Sequence, residues 1–537
     1  MFPKFTGHRS GRPYRYFQQP AGAIVLIVVL TAIAIVQCKR FRDLVEEPIG
    51  CDWFGYLRQA DLIRDRGVLD GLSTEISDET TRYLIGKGRD VAGASWRWIV
   101  AAAPHCHNYK ESTDRIVLQY PPGTGYVLSM LPKGQQARMA AALCISILIL
   151  ILARLALRQR NPAAVLPLLL LGIFLLHGMA YYSYSWSIPP TIAVIVLLAL
   201  ATLRYCAADK ASQRLIYAAG IGLMLGLAAN IRVANLLVGS GLVLVLGLDF
   251  ILDPQRRKLT EGALMACFFL LGALPVLLAN WINAGSPLAS TYSPLDATKP
   301  TLSGEVLSQS LRYYVFDWPT AALQIAAAAV VAAAVCVFAR RSSHAAARLA
   351  ATIALTSLVS GTLFFLAHIP WANYYLFPFA AFAAATATFC IVWCMPGESG
   401  TAASARAKAA VAAILCGCAG LIAFMFWGKV SIYTANSEQL PEIAPDAIVW
   451  ADLRSGFAPY YLHRQAAVLP FVPPTFRGPL VRSIWQDGRP QIFLLDSPTM
   501  ERAVRDLPQN ELLKSEGQIF GVDALVLPGR SSSSDTR

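Results

Sequence analysis

One acid opens a segment that can fold as an amphipathic helix: Asp52, in Ile49-Gly50-Cys51-Asp52-Trp53-Phe54-Gly55-Tyr56. Trp53, Tyr56, Leu57, Ala60 and Ile63 recur at helical spacing. This predicts a helix lying along a water–lipid boundary, with Gly67 ending it. Asp52 just ahead of the first turn reads as an N-cap, a position that Asp fills well. It also reads as a carboxylate able to take a proton from a hydroxyl. The two readings are compatible, because a capped helix start is a rigid place for a base. Farther on, Tyr120-Pro121-Pro122-Gly123-Thr124-Gly125 predicts a stiff turn ahead of an apolar segment.

The elements that must hold these residues are apolar. The chain has 537 residues, 55% hydrophobic and 15% charged, with mean hydropathy +0.48. Soluble domains average about 45–50% apolar and about 25% charged residues. This balance argues against a soluble enzyme and excludes a disordered chain. Eleven cysteines are too dilute for a disulfide scaffold. Eleven apolar runs are near bilayer-crossing length: 21–37, 138–152, 163–180, 188–203, 215–230, 234–252, 262–282, 319–339, 349–368, 374–395 and 409–429. The predicted fold is therefore mainly α, a polytopic membrane protein of about eleven transmembrane helices, with a small C-terminal α/β domain.

Net charge is +13, but the cations sit in short patches between apolar runs, such as Arg154, Arg158 and Arg160, or Arg256, Arg257 and Lys258. Such patches mark cytoplasmic helix ends rather than a nucleic-acid face. Outer loops beyond the first hold only Arg232, Lys299 and Arg312. The expected layout is a basic cytoplasmic tail (1–20), a transmembrane domain (21–429) with a large outer loop (38–136), an α/β domain (430–530) and a disordered end (531–537). Eleven spans put the C-terminal domain outside, which in a bacterium is the periplasmic side of the inner membrane. The first run lacks a small-residue cleavage site and reads as a retained anchor.

Other chemistry-bearing residues have plain readings. Most cysteines lie in apolar runs as small hydrophobes. Cys38, Cys51 and Cys106 fall in the outer loop, where a Cys51–Cys106 disulfide fits but spacing does not fix it. His105-Cys106-His107 lacks a second ligand pair at zinc spacing. Tyr181-Tyr182-Ser183-Tyr184-Ser185-Trp186 reads as an interfacial aromatic belt. His177 is the main ionisable group inside the spans and reads as a hydrogen-bonded interior histidine or as a relay.

The order of these features resembles the GT-C superfamily of membrane glycosyltransferases, in the branch of protein O-mannosyltransferases and the lipid A aminoarabinose transferase. Asp52 matches the family's early outer-loop acid, and Tyr120-Pro121-Pro122 its Pro-Pro turn. Ala137-Arg138-Met139 fits the start of the second span, and Gly226-Leu227-Ala228-Ala229-Asn230-Ile231-Arg232 its stretch ending in a basic residue. Asn280 to Leu288, Asn373-Tyr374-Tyr375-Leu376-Phe377-Pro378 and Ser455 to Tyr461 follow in order. Many members carry a second acid directly after the first; here that position is Trp53, with Asp61, Asp65 and Asp296 as alternative acids.

The resemblance implies transfer of a sugar from a polyprenyl-phosphate carrier to a hydroxyl of a glycan, lipid or protein on the outer side. It implies Asp52 as the base and Arg232, Arg138, Tyr120 and Tyr56 as substrate-binding residues. No cofactor is implied, and a divalent metal is not supported. Arg232 also reads as an arginine snorkelling to the interface, and Arg138 as a flank anchor. Two rival readings stand beside this one: a lipid or lipid-linked-sugar flippase that depends on groups such as His177, and a non-catalytic scaffold for envelope assembly.

Overall fold

The structure is a computed structural model describing residues 20–45, 51–75, 79–93, 106–133, 136–157, 164–292, 301, 303–341, 344–368, 372–394, 444, 446–452, 466–519 and 522–529. Within its helices, the side chains of 20–23, 37–45, 51, 53, 54, 137, 138 and 341 lie outside that description.

Leu, Ile, Val and Ala dominate the apolar runs and fold as helices, which satisfy every backbone group internally where water is excluded. They are α1 (Pro20–Val45), α5 (Gln136–Leu157), α6 (Val165–Tyr181), α7 (Ile188–Ala207), α8 (Ala211–Ile231), α9 (Ser240–Leu252), α10 (Arg256–Ala284), α12 (Pro319–Arg341), α13 (Ala345–Leu366) and α14 (Phe377–Cys394). Among the described residues, eight helical segments are long and apolar enough to cross a membrane. Two shorter apolar helices, Ile24–Val36 and Val165–Tyr181, coincide with the first and third expected runs. The eleventh run, 409–429, lies outside the described residues, as do the boundary near 430, the tail 1–19, the end 531–537 and the segment Ser455–Tyr461.

The segment expected as the outer loop folds into α2 (Cys51–Arg66), α3 (Glu79–Ala92), a hairpin of β1 (His107–Lys110) and β2 (Arg115–Leu118), and α4 (Pro122–Ser129). The hairpin is fastened to the end of α10. Arg115 donates to the Ile282 carbonyl (2.8 Å), Thr113 to Asn283 and Ser112 to Ala284 (both 3.0 Å). Gly285 ends α10 at φ +80°, the left-handed cap that glycine adopts without strain. Between α10 and α12 lie α11 (Gly304–Leu311) and a π-helical turn (Arg312–Asp317).

The C-terminal part is a five-stranded sheet in the order β4-β3-β5-β7-β6. Its strands are β3 (Ile448–Ala451), β4 (Ala466–Val468), β5 (Gln491–Leu494), β6 (Lys514–Ile519) and β7 (Val522–Leu527), with helices α15 (Pro474–Gln486) and α16 (Pro498–Arg505). The first three strands are parallel; β7 runs antiparallel to β5 and β6. Ser497 caps α16, its Oγ accepting from the Met500 amide at 2.9 Å with Pro498 at the first helical position. Strand β6 escaped sequence reading because Lys514-Ser515-Glu516-Gly517-Gln518 has no apolar alternation; five of its six residues are exposed. The sheet does not stand apart. Trp450, Ile484 and Phe493 share one apolar core with Leu84 and Ile85 of α3 and Ile116 of the hairpin.

Candidate active site

Helix α2 buries Tyr56, Gln59, Ala60 and Ile63, and this inward face fixes its first turn. Asp52 sits in that turn, where the helix dipole favours negative charge. Both carboxylate oxygens accept from phenols: Oδ1 from the Tyr120 hydroxyl at 2.8 Å, Oδ2 from the Tyr374 hydroxyl at 2.6 Å. The N-cap expectation is thereby corrected. Asp52 is inside the helix, and its oxygens serve side chains from distant parts of the chain.

Local sequence explains how Tyr120 reaches Asp52. A Cβ on Gly55 would lie 2.2 Å from Cε2 of Tyr120, so only glycine admits that ring against α2. The ring packs on Tyr56, with centroids 4.4 Å apart. The Tyr120 hydroxyl also accepts from Gln119 Nε2 (3.2 Å), and its carbonyl accepts from Gln59 Nε2 (3.1 Å). Burial, then the Asp52 charge, pushes the phenols of Tyr120 and Tyr56 well up, so both remain protonated.

The Pro-Pro pair is a helix start: Pro121 caps α4 and Pro122 opens it. Gly123 then touches the end of α8, where a Cβ would lie 2.6 Å from the Asn230 carbonyl oxygen. Gly125 lies against Gln59 in the same way, and Thr124 Oγ1 donates to the Ile231 carbonyl at 3.3 Å. This short helix therefore docks the end of α8, and with it Arg232, onto α2.

Arg232 follows α8 in an extended conformation. It is 5% exposed, which corrects the snorkelling expectation: the guanidinium is enclosed by protein. Its Nη1 lies 3.9 Å from Asp52 Oδ2 and donates to Ser187 Oγ at 3.4 Å. Its Cζ sits 4.0 Å over the Tyr374 ring and 4.5 Å over the Tyr375 ring. Its Nε has no hydrogen-bond partner among the described residues. A guanidinium carries five N–H donors, and the Ser187 contact uses one of them.

Four expected residues, Asp52, Tyr56, Tyr120 and Arg232, thus converge. Arg138 lies in α5, with its side chain outside the described residues. Sequence reading missed Tyr374, Tyr375 and Ser187 as site residues. In the sequence the Tyr374-Tyr375 pair stands out only as part of the Asn373–Pro378 stretch of the family resemblance. The aromatic belt is also corrected: Tyr182 and Trp186 are buried, and Tyr184 hydrogen-bonds Asn373 and packs its ring on Tyr374. Tyr182 and Trp186 thus face protein, while Tyr184 is 38% exposed.

Among the alternative acids, Asp61 pairs with Arg64 at 3.1 Å, Asp65 is exposed, and Asp296 is outside the described residues. Cys106 is disulfide-bonded and so unavailable as a ligand, which removes the centre of His105-Cys106-His107; the side chain of Cys51 lies outside the described residues. No group of three or more His, Cys, Asp or Glu able to hold a metal occurs among the described residues. His177 stacks on Tyr181 at 6.1 Å.

No family model matches this sequence, and no curated protein matches it. Among solved structures, ArnT from Cupriavidus metallidurans bound to undecaprenyl phosphate is similar, at 14% identity and a TM-score of 0.47, over 96% of this chain and 99% of that one. The apo state of the same protein is similar at 12% identity and a TM-score of 0.43, over 94% and 98%.

Proposed function

We propose that this chain is a membrane glycosyltransferase that moves a sugar from a polyprenyl-phosphate carrier to an acceptor hydroxyl. Asp52 acts as the base. The observation that carries this reading is the pairing of Asp52 with Arg232. A carboxylate held by two phenols stands 3.9 Å from a buried guanidinium whose Nε has no partner among the described residues. General-base chemistry beside a stabiliser of leaving-group anion needs such a pair.

Each carboxylate oxygen of Asp52 offers two lone pairs, and the phenols use one on each. An acceptor hydroxyl can occupy a remaining lone pair. As its oxygen attacks the anomeric carbon, its proton passes to Asp52 and the bond from that carbon to the phosphate oxygen breaks. The electron pair leaves with the lipid phosphate. Arg232, packed against the Tyr374 and Tyr375 rings, meets that growing negative charge. A single displacement of this kind inverts the anomeric centre. Tyr56 lines the same space, and Arg138 is assigned a phosphate contact from the sequence resemblance.

In this reading the carrier's tail stays in the bilayer while its sugar reaches the boundary where α2 lies. The site faces the periplasmic side of a bacterial inner membrane, the N-terminus is cytoplasmic and the C-terminal domain shares the side of the site. The hairpin contact with α10 and the core shared by α3 and the sheet support one common side for these segments. The acceptor is a glycan, lipid or protein.

The decisive experiment compares wild type with Asp52→Asn, both purified and assayed with polyprenyl-phosphate sugars. Transfer should vanish in Asp52→Asn while the protein stays folded in the membrane. Full transfer by that variant would overturn the assignment.

A further inference from the structure

Helices α7 and α14 both leave the candidate site and run away from it. Ser187, which hydrogen-bonds Arg232, immediately precedes α7, and the turn bearing Tyr374 immediately precedes α14. At a rise of about 1.5 Å per residue, Arg204 and Trp393 each lie about 24 Å farther along their helices. That is close to the thickness of a bilayer's hydrocarbon core.

At that far end α5, α7 and α14 enclose a cavity of about 210 Å³. Leu155, Leu200, Leu203, Phe389 and Val392 make its apolar wall. Water needs two to four polar partners to settle in such a space, and this wall supplies none. The remaining lining residues are Arg204 and Trp393, with the Arg204 Cζ 5.0 Å over the Trp393 ring. Trp393 is 45% exposed, as suits an indole at the headgroup level.

The charges at this face separate into spent and unspent. Arg214 is spent on the buried Glu261, with two contacts of 2.9 Å, and Lys258 on Asp249 and Asp253 at 3.0 and 3.1 Å. Arg204 has no carboxylate partner among the described residues, and neither does Arg154, adjacent to the lining residue Leu155. Arg158 and Arg160 follow in the sequence. An apolar slot lined at one end by the guanidinium of Arg204 is complementary to a ligand with a phosphate head and a hydrocarbon chain.

We propose that this cavity binds one anionic glycerophospholipid of the membrane leaflet opposite Asp52. Its phosphate rests on Arg204, and part of one acyl chain lies among α5, α7 and α14. The site is independent of the transfer reaction.

The test is native mass spectrometry of the full chain in a neutral detergent, titrated with phosphatidylglycerol or with phosphatidylcholine of the same chain length. Wild type should hold one phosphatidylglycerol about tenfold more tightly than phosphatidylcholine, whose phosphate has its charge offset by the choline cation beside Arg204. Arg204→Gln should erase that preference, and Arg204→Lys should keep part of it. Leu200→Trp, which fills the slot and leaves the charge, should lose the bound lipid. Asp52→Asn should bind as wild type does. Equal binding of the two lipids by wild type would overturn the proposal. So would unchanged phosphatidylglycerol binding in Arg204→Gln, or in Leu200→Trp should the arginine variant fail to accumulate.

Discussion

The Tyr374 hydroxyl donates to Asp52 Oδ2 at 2.6 Å, joining residues 322 positions apart. The same ring lies 4.0 Å beneath Arg232. One tyrosine therefore sets the direction of the proposed base and supports the proposed phosphate ligand. Tyr374→Phe keeps the ring and removes the hydrogen bond. A hydrogen bond to a charged group contributes about 1.5–3 kcal/mol, so turnover should fall roughly ten- to a hundredfold. The carrier KM should change little, because the surface under Arg232 remains. An unchanged turnover number would show that the phenol does not orient the carboxylate.

Gly55 tests the same geometry from the other side. Gly55→Ala would put a methyl group 2.2 Å from the Tyr120 ring, and the ring must move its hydroxyl away from Asp52. Overpacking of this kind costs about 1–3 kcal/mol, and activity should drop at least as far as in Tyr120→Phe. Gly86 in α3 has open space around it. Gly86→Ala should leave activity intact and raise thermal stability slightly, since glycine inside a helix costs about 0.5–1 kcal/mol. Equal behaviour of the two alanine variants would refute the steric account.

Much of this was legible in the sequence because membrane helices declare themselves by length and apolar content. Ten of the eleven apolar runs fall on described helices, eight of them within segments long enough to cross a membrane. Asp52, Tyr120 and Arg232 stood out through local signals: an acid opening an amphipathic segment, a Pro-Pro turn, a lone cation between two spans. Tyr374 and Ser187 did not, since their roles exist only once α14 and α7 pack beside α2. An aromatic residue at a span end has the same local pattern whether it faces lipid or protein, so Tyr182 and Trp186 read as a belt although both are buried. The core shared between α3 and the sheet was hidden for a like reason: amphipathicity marks an apolar face without naming what covers it.

Arg232 should not tolerate lysine. Its Cζ lies 4.0 Å from the Tyr374 ring centroid and 4.5 Å from that of Tyr375, in the corner the two rings form at 62°, and an ammonium ion offers neither a flat face nor a fork of donors. Losing a desolvated stacking contact costs about 2 kcal/mol. Arg232→Lys should raise the KM for the carrier by roughly tenfold or more and lower turnover as well, with Arg232→Gln worse in both. Steady-state kinetics with varied carrier at saturating acceptor would decide. A lysine variant with wild-type kinetics would mean that only charge matters there.

The C-terminal sheet is fastened to α3 by a contact that acid should loosen. Asp487 accepts from Lys87 Nζ at 2.5 Å and from the Tyr83 hydroxyl at 2.6 Å, and Arg489 covers the Tyr83 ring at 3.9 Å. The hydrogen bond from Lys87, then that from Tyr83, holds the Asp487 carboxyl below its ordinary value of 3.8. A depressed carboxyl stabilises the folded form fully above its unfolded pKa, and that contribution is lost as pH falls through the folded pKa. The side chain is 34% exposed, so solvent screening keeps the effect modest. Asp487→Asn should therefore weaken hydrogen-exchange protection of α3 and α15 at pH 7, and the gap from wild type should close as pH falls below the ordinary carboxyl value of 3.8 and through the lower folded-state pKa. A gap of the same size at both pH values would show that the carboxylate's charge is not what holds the two parts together.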